Sequence, residues 1–72
     1  MDEQTFLTKM QEEVLDTELE LNTGTLLGDI EEWDSLSVVS FIAMAKAACG
    51  KKVERAAITN AKTIGELFVL LK

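Results

Sequence analysis

The apolar residues of the first fifteen positions recur with helical spacing. Phe6, Leu7, Met10 and Val14 lie on one stripe at 3.6 residues per turn, while polar side chains cover the opposite side. Asp2 at the start suits the positive end of a helix dipole. The pattern predicts a first helix over residues 2–15.

A second and more apolar helix is predicted over residues 35–49. One arc of its helical wheel is expected to face the core, and it consists of Val38, Phe41, Ile42, Ala45 and Cys49. The remaining apolar residues fall outside this arc: Leu36, Val39, Ala43, Met44 and Ala47. Only Ser37, Ser40 and Lys46 interrupt that outward side, so we expect it to be almost uncharged. Gly50 suits the left-handed position that ends a helix.

Two further helices are predicted near the C-terminus. Residues 53–58 can form one or two turns with Val53, Ala57 and Ile58 facing inward, before Thr59-Asn60 interrupts them. Residues 63–71 begin with capping-box spacing between Thr63 and Glu66. Their apolar positions follow helical spacing: Ile64, Leu67, Phe68 and Leu71.

The periodicity breaks down between the first and second helices. Turn-forming residues occur at 22–25 and 28–29, and scattered apolar residues are expected to anchor a long loop to the core: Leu19, Leu21, Leu26, Leu27 and Ile30. The alternating acids from Asp16 onward do not form a calcium-binding EF-hand loop. Its sixth position would be Leu21 where Gly is needed, and its twelfth would be Leu27 where Glu is needed.

These elements predict a small all-α fold, a four-helix bundle of three main helices and one short helix. The chain of 72 residues is long enough for one domain, which we assign to residues 1–72. Its composition, 47% hydrophobic and 28% charged, is typical of a globular protein. We expect this domain to be a monomer.

Charge and composition exclude several functions. The net charge of −6 argues against nucleic acid binding, which requires clustered Lys and Arg. One cysteine and no histidine exclude an internal disulfide and the usual zinc sites, so no metal is expected. No apolar run is long enough to cross a membrane, and the N-terminus does not resemble a secretory signal. We therefore expect a cytoplasmic protein.

The candidate chemistry lies at Glu31-Glu32-Trp33-Asp34-Ser35-Leu36. Asp34 or Ser35 can cap the second helix by accepting a hydrogen bond from its unpaired N–H groups. A helix N-terminus also favours anions, so a serine at this position can carry a phosphodiester. Serine hydrolysis is not expected because the chain has no histidine and no Gly-x-Ser-x-Gly sequence. The neighbouring carboxylates are interpreted as a solvated acidic stretch.

The combination of motifs resembles an acyl carrier protein. Trp33-Asp34-Ser35-Leu36 follows a long loop, an apolar helix ends at Gly50, and Thr63-Ile64-Gly65-Glu66-Leu67 opens the last helix. The resemblance extends over nearly the whole chain. It implies that a phosphopantetheinyl transferase attaches phosphopantetheine from coenzyme A to Ser35, with Asp34 and Leu36 as flanking recognition contacts. The attached thiol would carry acyl groups as thioesters, and the chain itself would not be an enzyme.

The resemblance implies acyl-loading and acyl-processing partner enzymes, such as synthases and acyltransferases of fatty-acid, polyketide or related lipid biosynthesis. Members of this family usually have a strongly acidic second helix, and this chain does not. We therefore expect apolar recognition through Leu36, Val39, Ala43 and Met44, with Glu31 and Glu32 supplying charge. Trp33 is expected to fill the core under the loop. Two alternatives stay open: an aminoacyl or peptidyl carrier, and a helical protein-interaction module.

Overall fold

Helix α1 (Glu3–Lys9) begins directly after Asp2, whose carboxylate accepts a hydrogen bond from the Thr5 N–H at 2.7 Å. This hydrogen bond lowers the pKa of the Asp2 carboxyl group. The computed structural model describes residues 1–71, and α1 continues in it as a wider π-helical turn, Met10–Val14. That turn ends at Val14, and Asp16, two residues later, adopts the left-handed conformation with φ 49°. The first helical segment therefore matches the prediction in extent but changes its winding halfway.

Helix α2 (Ser35–Cys49) occupies the predicted residues and ends at Gly50, which is left-handed with φ 65°. The Gly50 N–H donates to the Lys46 carbonyl at 3.1 Å, and the Lys51 N–H donates to the Ala45 carbonyl at 3.3 Å. A side chain at position 50 would be strained, because L-residues avoid this conformation. The predicted role of Gly50 as the helix terminator is confirmed.

The buried side of α2 differs from the predicted one. Its buried residues are Ser37, Phe41, Met44 and Ala45, whereas Val38, Ile42 and Cys49 are half-buried at the margin. At 100° per residue this is a rotation of about 70°. The prediction that Met44 and Ser37 face outward is wrong. Because α2 is apolar around its circumference, the pattern does not determine which arc packs inward.

Helix α3 (Arg55–Asn60) begins two residues later than predicted and includes Thr59 and Asn60, which were predicted to end it. The Thr59 hydroxyl donates to the Arg55 carbonyl at 3.0 Å, a hydrogen bond that lets threonine lie inside a helix. Val53 is buried but lies in the extended segment before α3. Apolar spacing alone therefore placed the start of the helix too early.

Helix α4 (Ile64–Leu70) carries the predicted capping box. The Thr63 hydroxyl accepts from the Glu66 N–H at 3.2 Å, and the Glu66 carboxylate accepts from the Thr63 N–H at 2.9 Å. The Lys62 N–H donates to the same carboxylate at 2.6 Å. The hydrogen bond from the Lys62 N–H has the largest effect on the Glu66 carboxyl group, and together with the one from the Thr63 N–H it lowers the pKa of that group.

Residues 16–34 connect the first helical segment to α2 and contain one short 3-10 turn, Leu27–Asp29. Leu21, Leu27 and Ile30 are buried as predicted, but Leu19 and Leu26 are 48% and 51% exposed. The prediction that Leu19 and Leu26 anchor the segment is wrong. Leu26 forms an isolated antiparallel bridge with Thr63, and in extended backbone its side chain points away from that of the buried Leu27.

The helices meet around the ring of Phe6. The Phe41 ring packs edge-on against it with centroids 6.3 Å apart, and the Phe68 ring lies at 4.9 Å. Phe6 and Phe41 are fully buried, and α3 adds the buried Ile58 to the same core cluster. Aromatic burial on this scale contributes several kcal/mol per ring, roughly 3–5 kcal/mol by truncation to Ala. One hydrophobic core therefore joins α1, α2 and α4.

The connecting segment also supplies hydrogen-bond acceptors to the start of α4. The Ile64 N–H donates to the Thr25 carbonyl at 3.1 Å, and the Gly65 N–H donates to the Thr23 carbonyl at 2.9 Å. In the opposite direction, the Leu27 N–H donates to the Lys62 carbonyl at 2.9 Å. The first N–H groups of a helix have no partner within it, so the segment and α4 stabilise each other.

The prediction of a small all-α protein is confirmed, because the described residues are mostly helical and form no strand. In residues 1–71, no helix has both the length and the apolar character needed to span a membrane.

Replacing Gly65 with Ala tests the contact between the connecting segment and α4. A methyl group at position 65 would lie 2.9 Å from the Thr23 carbonyl oxygen, so the backbone must shift. We expect the free energy of unfolding in urea to fall by about 1–3 kcal/mol, although alanine favours a helix by about 1 kcal/mol. Gly28→Ala is the control, because its methyl group meets nothing within 4 Å. An unchanged stability of Gly65→Ala would contradict the close contact.

Candidate functional site

Asp34 caps α2, and the geometry of this cap defines the site. Its Oδ1 accepts from the Leu36 N–H at 3.0 Å and from the Ser37 N–H at 3.1 Å, while its carbonyl accepts from the Val38 N–H at 3.1 Å. The N–H of Ser35 alone among these first-turn groups has no acceptor in residues 1–71. The prediction that Asp34 or Ser35 caps α2 is met by Asp34, whose side chain occupies two of the N–H groups that could otherwise contact an anion.

Ser35 is the first residue of α2, and its side chain is exposed. Its hydroxyl makes no hydrogen bond to any of residues 1–71, so no general base in this part of the chain activates it. The hydroxyl is nevertheless held at a fixed position by a well-capped helix. This arrangement suits a group that receives a modification from the catalytic residues of another protein.

An exposed apolar face begins at Ser35. Leu36 is 75% exposed and Val39 is 55% exposed, and Ala43 follows one turn later on the same side of α2. We call Ser35, Leu36, Val39 and Ala43 the exposed α2 face. Large apolar side chains that are this exposed and adjacent are typical of interaction surfaces.

Met44 does not belong to this face. It is only 6% exposed, which contradicts its predicted role as a recognition residue. It lies at the floor of a shallow groove of about 330 Å³ between the π-helical turn and α2, together with Glu13, Ser40, Ala43 and Ala47. Met44 therefore stabilises the packing of α2 and offers little surface to a partner.

Glu31 and Glu32 line an open cleft on the other side of the cap. The cleft has a volume of about 660 Å³ and is lined by Asp16, Thr17, Glu18, Leu19, Asp29, Glu31 and Glu32. We call it the acidic cleft. The sequence shows these acids but does not predict that they share one cleft, because residues 16–19 and residues 29–32 are ten positions apart in the chain. The one hint in the sequence is that these acids lie at the two ends of the connecting segment.

The acidic cleft carries uncompensated negative charge. The only ion pair in residues 1–71 joins Lys9 to Glu13 at 3.0 Å, outside the cleft. No cluster of acidic or cysteine side chains in that range is arranged to hold a metal ion. Five carboxylates without a cationic partner produce a local negative potential that attracts basic groups.

The charges of the chain are separated along the sequence. Eleven of the thirteen acidic residues precede Ser35, and six of the seven basic residues follow it. The C-terminal end of α2 lies about 21 Å from Ser35 along a helix of this length, and the exposed basic residues Lys46, Lys51, Lys52 and Arg55 are in its last turn or follow it in the chain. The residues that precede Ser35 therefore carry most of the negative charge of the chain.

Two residues next to the Asp34 cap, Trp33 and Ser37, are partly or fully buried. Trp33 is half-buried and packs against the core, as predicted. Ser37 is 4% exposed, and its hydroxyl donates to the Glu32 carbonyl. The sequence analysis assigns Ser37 no role. Its position in the first turn of α2, where a serine hydroxyl often bonds to nearby backbone, is the one feature of the sequence that indicates this contact.

No protein-family model, curated protein or solved structure matches the chain. The resemblance to acyl carrier proteins therefore rests on the sequence motifs alone.

The cap and the exposed hydroxyl can be separated by mutation. Asp34→Ala removes the acceptor of two N–H groups, so we expect the free energy of unfolding to fall by about 1–2 kcal/mol. Ser35→Ala removes a hydroxyl that bonds to nothing, so its effect is expected to stay within about 0.5 kcal/mol. Urea unfolding followed by circular dichroism measures both values. A larger loss for Ser35→Ala than for Asp34→Ala would reverse the assignment of the cap.

Proposed function

We propose that the protein is an acyl carrier protein with Ser35 as the site of phosphopantetheine attachment. The observation that carries the proposal is the exposed, unbonded hydroxyl of Ser35 at the first position of a fifteen-residue helix capped by Asp34. The arrangement of four helices as a bundle around a long loop is part of this proposal. So is a cytoplasmic location, where coenzyme A would be available to a phosphopantetheinyl transferase.

The residues around Ser35 fit a phosphodiester. The Ser35 N–H remains available, and the positive end of the α2 dipole lies at this position. The Asp34 carboxylate would repel a phosphate if it were free, but it accepts hydrogen bonds from Leu36 and Ser37. Its charge is thereby partly compensated by the helix, while the Ser35 hydroxyl points to solvent.

The division of labour follows from these contacts. The attached arm would supply a thiol that holds an acyl group as a thioester, whereas the chain supplies attachment and recognition. Phe41 fixes α2 in the core and Gly50 ends it, so Ser35 is presented from a rigid element. No residue in the described chain is assigned a catalytic role.

Partners are proposed to bind two adjacent surfaces. The exposed α2 face offers Leu36, Val39 and Ala43 for apolar contact, and Glu31 and Glu32 in the acidic cleft offer charge. The phosphopantetheinyl transferase would be the first such partner. Acyl-loading and acyl-processing enzymes of fatty-acid, polyketide or related lipid biosynthesis would follow, each meeting a monomer.

The exposed apolar side chains also favour a second candidate, a helical module that binds a partner through the exposed α2 face without modification. Leu36, at 75% exposure, is the observation in its favour. A carrier of aminoacyl or peptidyl groups would use Ser35 in the same way, so it differs from the first proposal in its cargo alone.

Incubation with coenzyme A and a broad-specificity phosphopantetheinyl transferase tests the attachment site. We expect intact-protein mass spectrometry to show one added phosphopantetheine on the wild type and none on Ser35→Ala. Ser40→Ala is the control, because it removes a hydroxyl from the same helix and should be modified fully. An unmodified, folded wild-type protein would reject the carrier function and favour the interaction module.

The charged part of the recognition surface can be tested by the rate of the same reaction. Glu31→Gln combined with Glu32→Gln is expected to lower that rate about threefold to tenfold at low ionic strength, because steering by the acidic cleft weakens. The difference should shrink at high salt, where exposed charges are screened. Glu12→Gln combined with Glu20→Gln changes the net charge equally outside the cleft and serves as the control. Equal rates for both double variants would remove Glu31 and Glu32 from recognition.

A further inference from the structure

Ser37 is the only buried polar or charged residue in the described chain, at 4% exposure. It lies on the same side of α2 as Phe41 and Ala45, among residues that contact the core. Burial of a hydroxyl is unfavourable unless it forms a hydrogen bond. The hydroxyl of Ser37 must therefore be accounted for by a specific partner.

That partner is the backbone before the helix. The Ser37 Oγ donates to the Glu32 carbonyl oxygen and lies 3.3 Å from the Asp34 Oδ1. A serine hydroxyl has one proton to donate, and both neighbours are acceptors. The shorter contact takes the proton, so the hydrogen bond to Glu32 is the one that compensates burial.

This hydrogen bond closes a loop around the candidate attachment site. The Asp34 carboxylate binds the first turn of α2 through Leu36 and Ser37, and the Ser37 side chain binds back to Glu32. Ser35 lies between these two connections. Two backbone hydrogen bonds also lie in this stretch: the Trp33 N–H donates to the Ile30 carbonyl at 3.1 Å, and the Val38 N–H donates to the Asp34 carbonyl at 3.1 Å.

We propose that Ser37 is a positioning residue that holds residues 31–34 against the first turn of α2. Its hydrogen bond fixes the backbone that carries Glu31 and Glu32 relative to the Ser35 hydroxyl, so that this part of the acidic cleft and the hydroxyl are presented to a transferase together. Pre-organisation of this kind lowers the cost of binding, because the segment is ordered before the partner arrives. The effect on transferase binding rests on the proposed function, whereas the ordering of the segment does not.

Trp33 reports on the segment directly. It is the only tryptophan of the chain, it lies within residues 31–34, and it is half-buried against the core. Its fluorescence therefore measures the order of this segment without any assumption about function. Quenching by acrylamide rises when the indole becomes more accessible to solvent.

The experiment compares four variants with the wild type. Ser37→Ala and Ser37→Cys remove the strong donor, and cysteine also fills the space, so it replaces alanine if that variant does not fold. Ser37→Thr retains the hydroxyl as the conservative rescue. Ser40→Ala is the matched control, because its hydroxyl makes no hydrogen bond to any of residues 1–71.

We expect Ser37→Ala and Ser37→Cys to increase the quenching of Trp33 and to raise the KM for transferase-catalysed modification about fivefold. The kcat should stay unchanged, because Ser35 itself is intact. Ser37→Thr and Ser40→Ala should resemble the wild type in all three values. A merely structural role would lower stability in urea while leaving KM and the native-state quenching unchanged.

Unchanged quenching and unchanged KM in both Ser37→Ala and Ser37→Cys would overturn the proposal. A rise in quenching without a rise in KM would overturn its recognition part. If the wild type itself is not modified, the proposed carrier function fails, and the quenching of Trp33 alone decides whether Ser37 orders the segment. The two failures are therefore distinguishable.

Discussion

The packing of three phenylalanine rings determines how the remaining elements are arranged. Phe6 contacts Phe41 on α2 and Phe68 on α4, so one side chain of α1 fixes the relative positions of three helices. In a chain of 72 residues few other side chains can do this, because a small domain buries a limited share of its surface. The rigidity of α2, and with it the fixed position of Ser35, depends on this contact.

The small size of the core has a consequence for α2. The helix is apolar around its whole circumference, so the residues that pack inward and those that face solvent are chemically alike. Burial of Phe41 and Met44 stabilises the fold, while the exposed Leu36 and Val39 contribute little to its packing. Leu36 and Val39 therefore remain exposed apolar side chains on a helix that begins shortly after the acidic residues Glu31 and Glu32.

Sequence reasoning succeeded where structure is determined by neighbours in the chain. The Asp34 cap, the Gly50 terminator and the Thr63–Glu66 capping box each depend on residues within one helical turn. It failed where the structure is determined by contacts between residues that are far apart in the chain. Met44 and Ser37 are buried because packing against the other helices decides which arc of the apolar helix α2 faces the core. Leu26 is exposed because its backbone pairs with that of Thr63. The acidic cleft could not be predicted for the same reason.

The hydrogen bonds between the connecting segment and α4 also bear on the order of events during synthesis of the chain. Thr23 and Thr25 accept from Gly65 and Ile64, which the ribosome adds about forty residues later. The segment that leads into Asp34 therefore lacks its supporting contacts until residues 62–65 have emerged. A nascent chain would expose Ser35 before its surroundings are ordered, so the segment around Ser35 reaches its final order only after residues 62–65 are present.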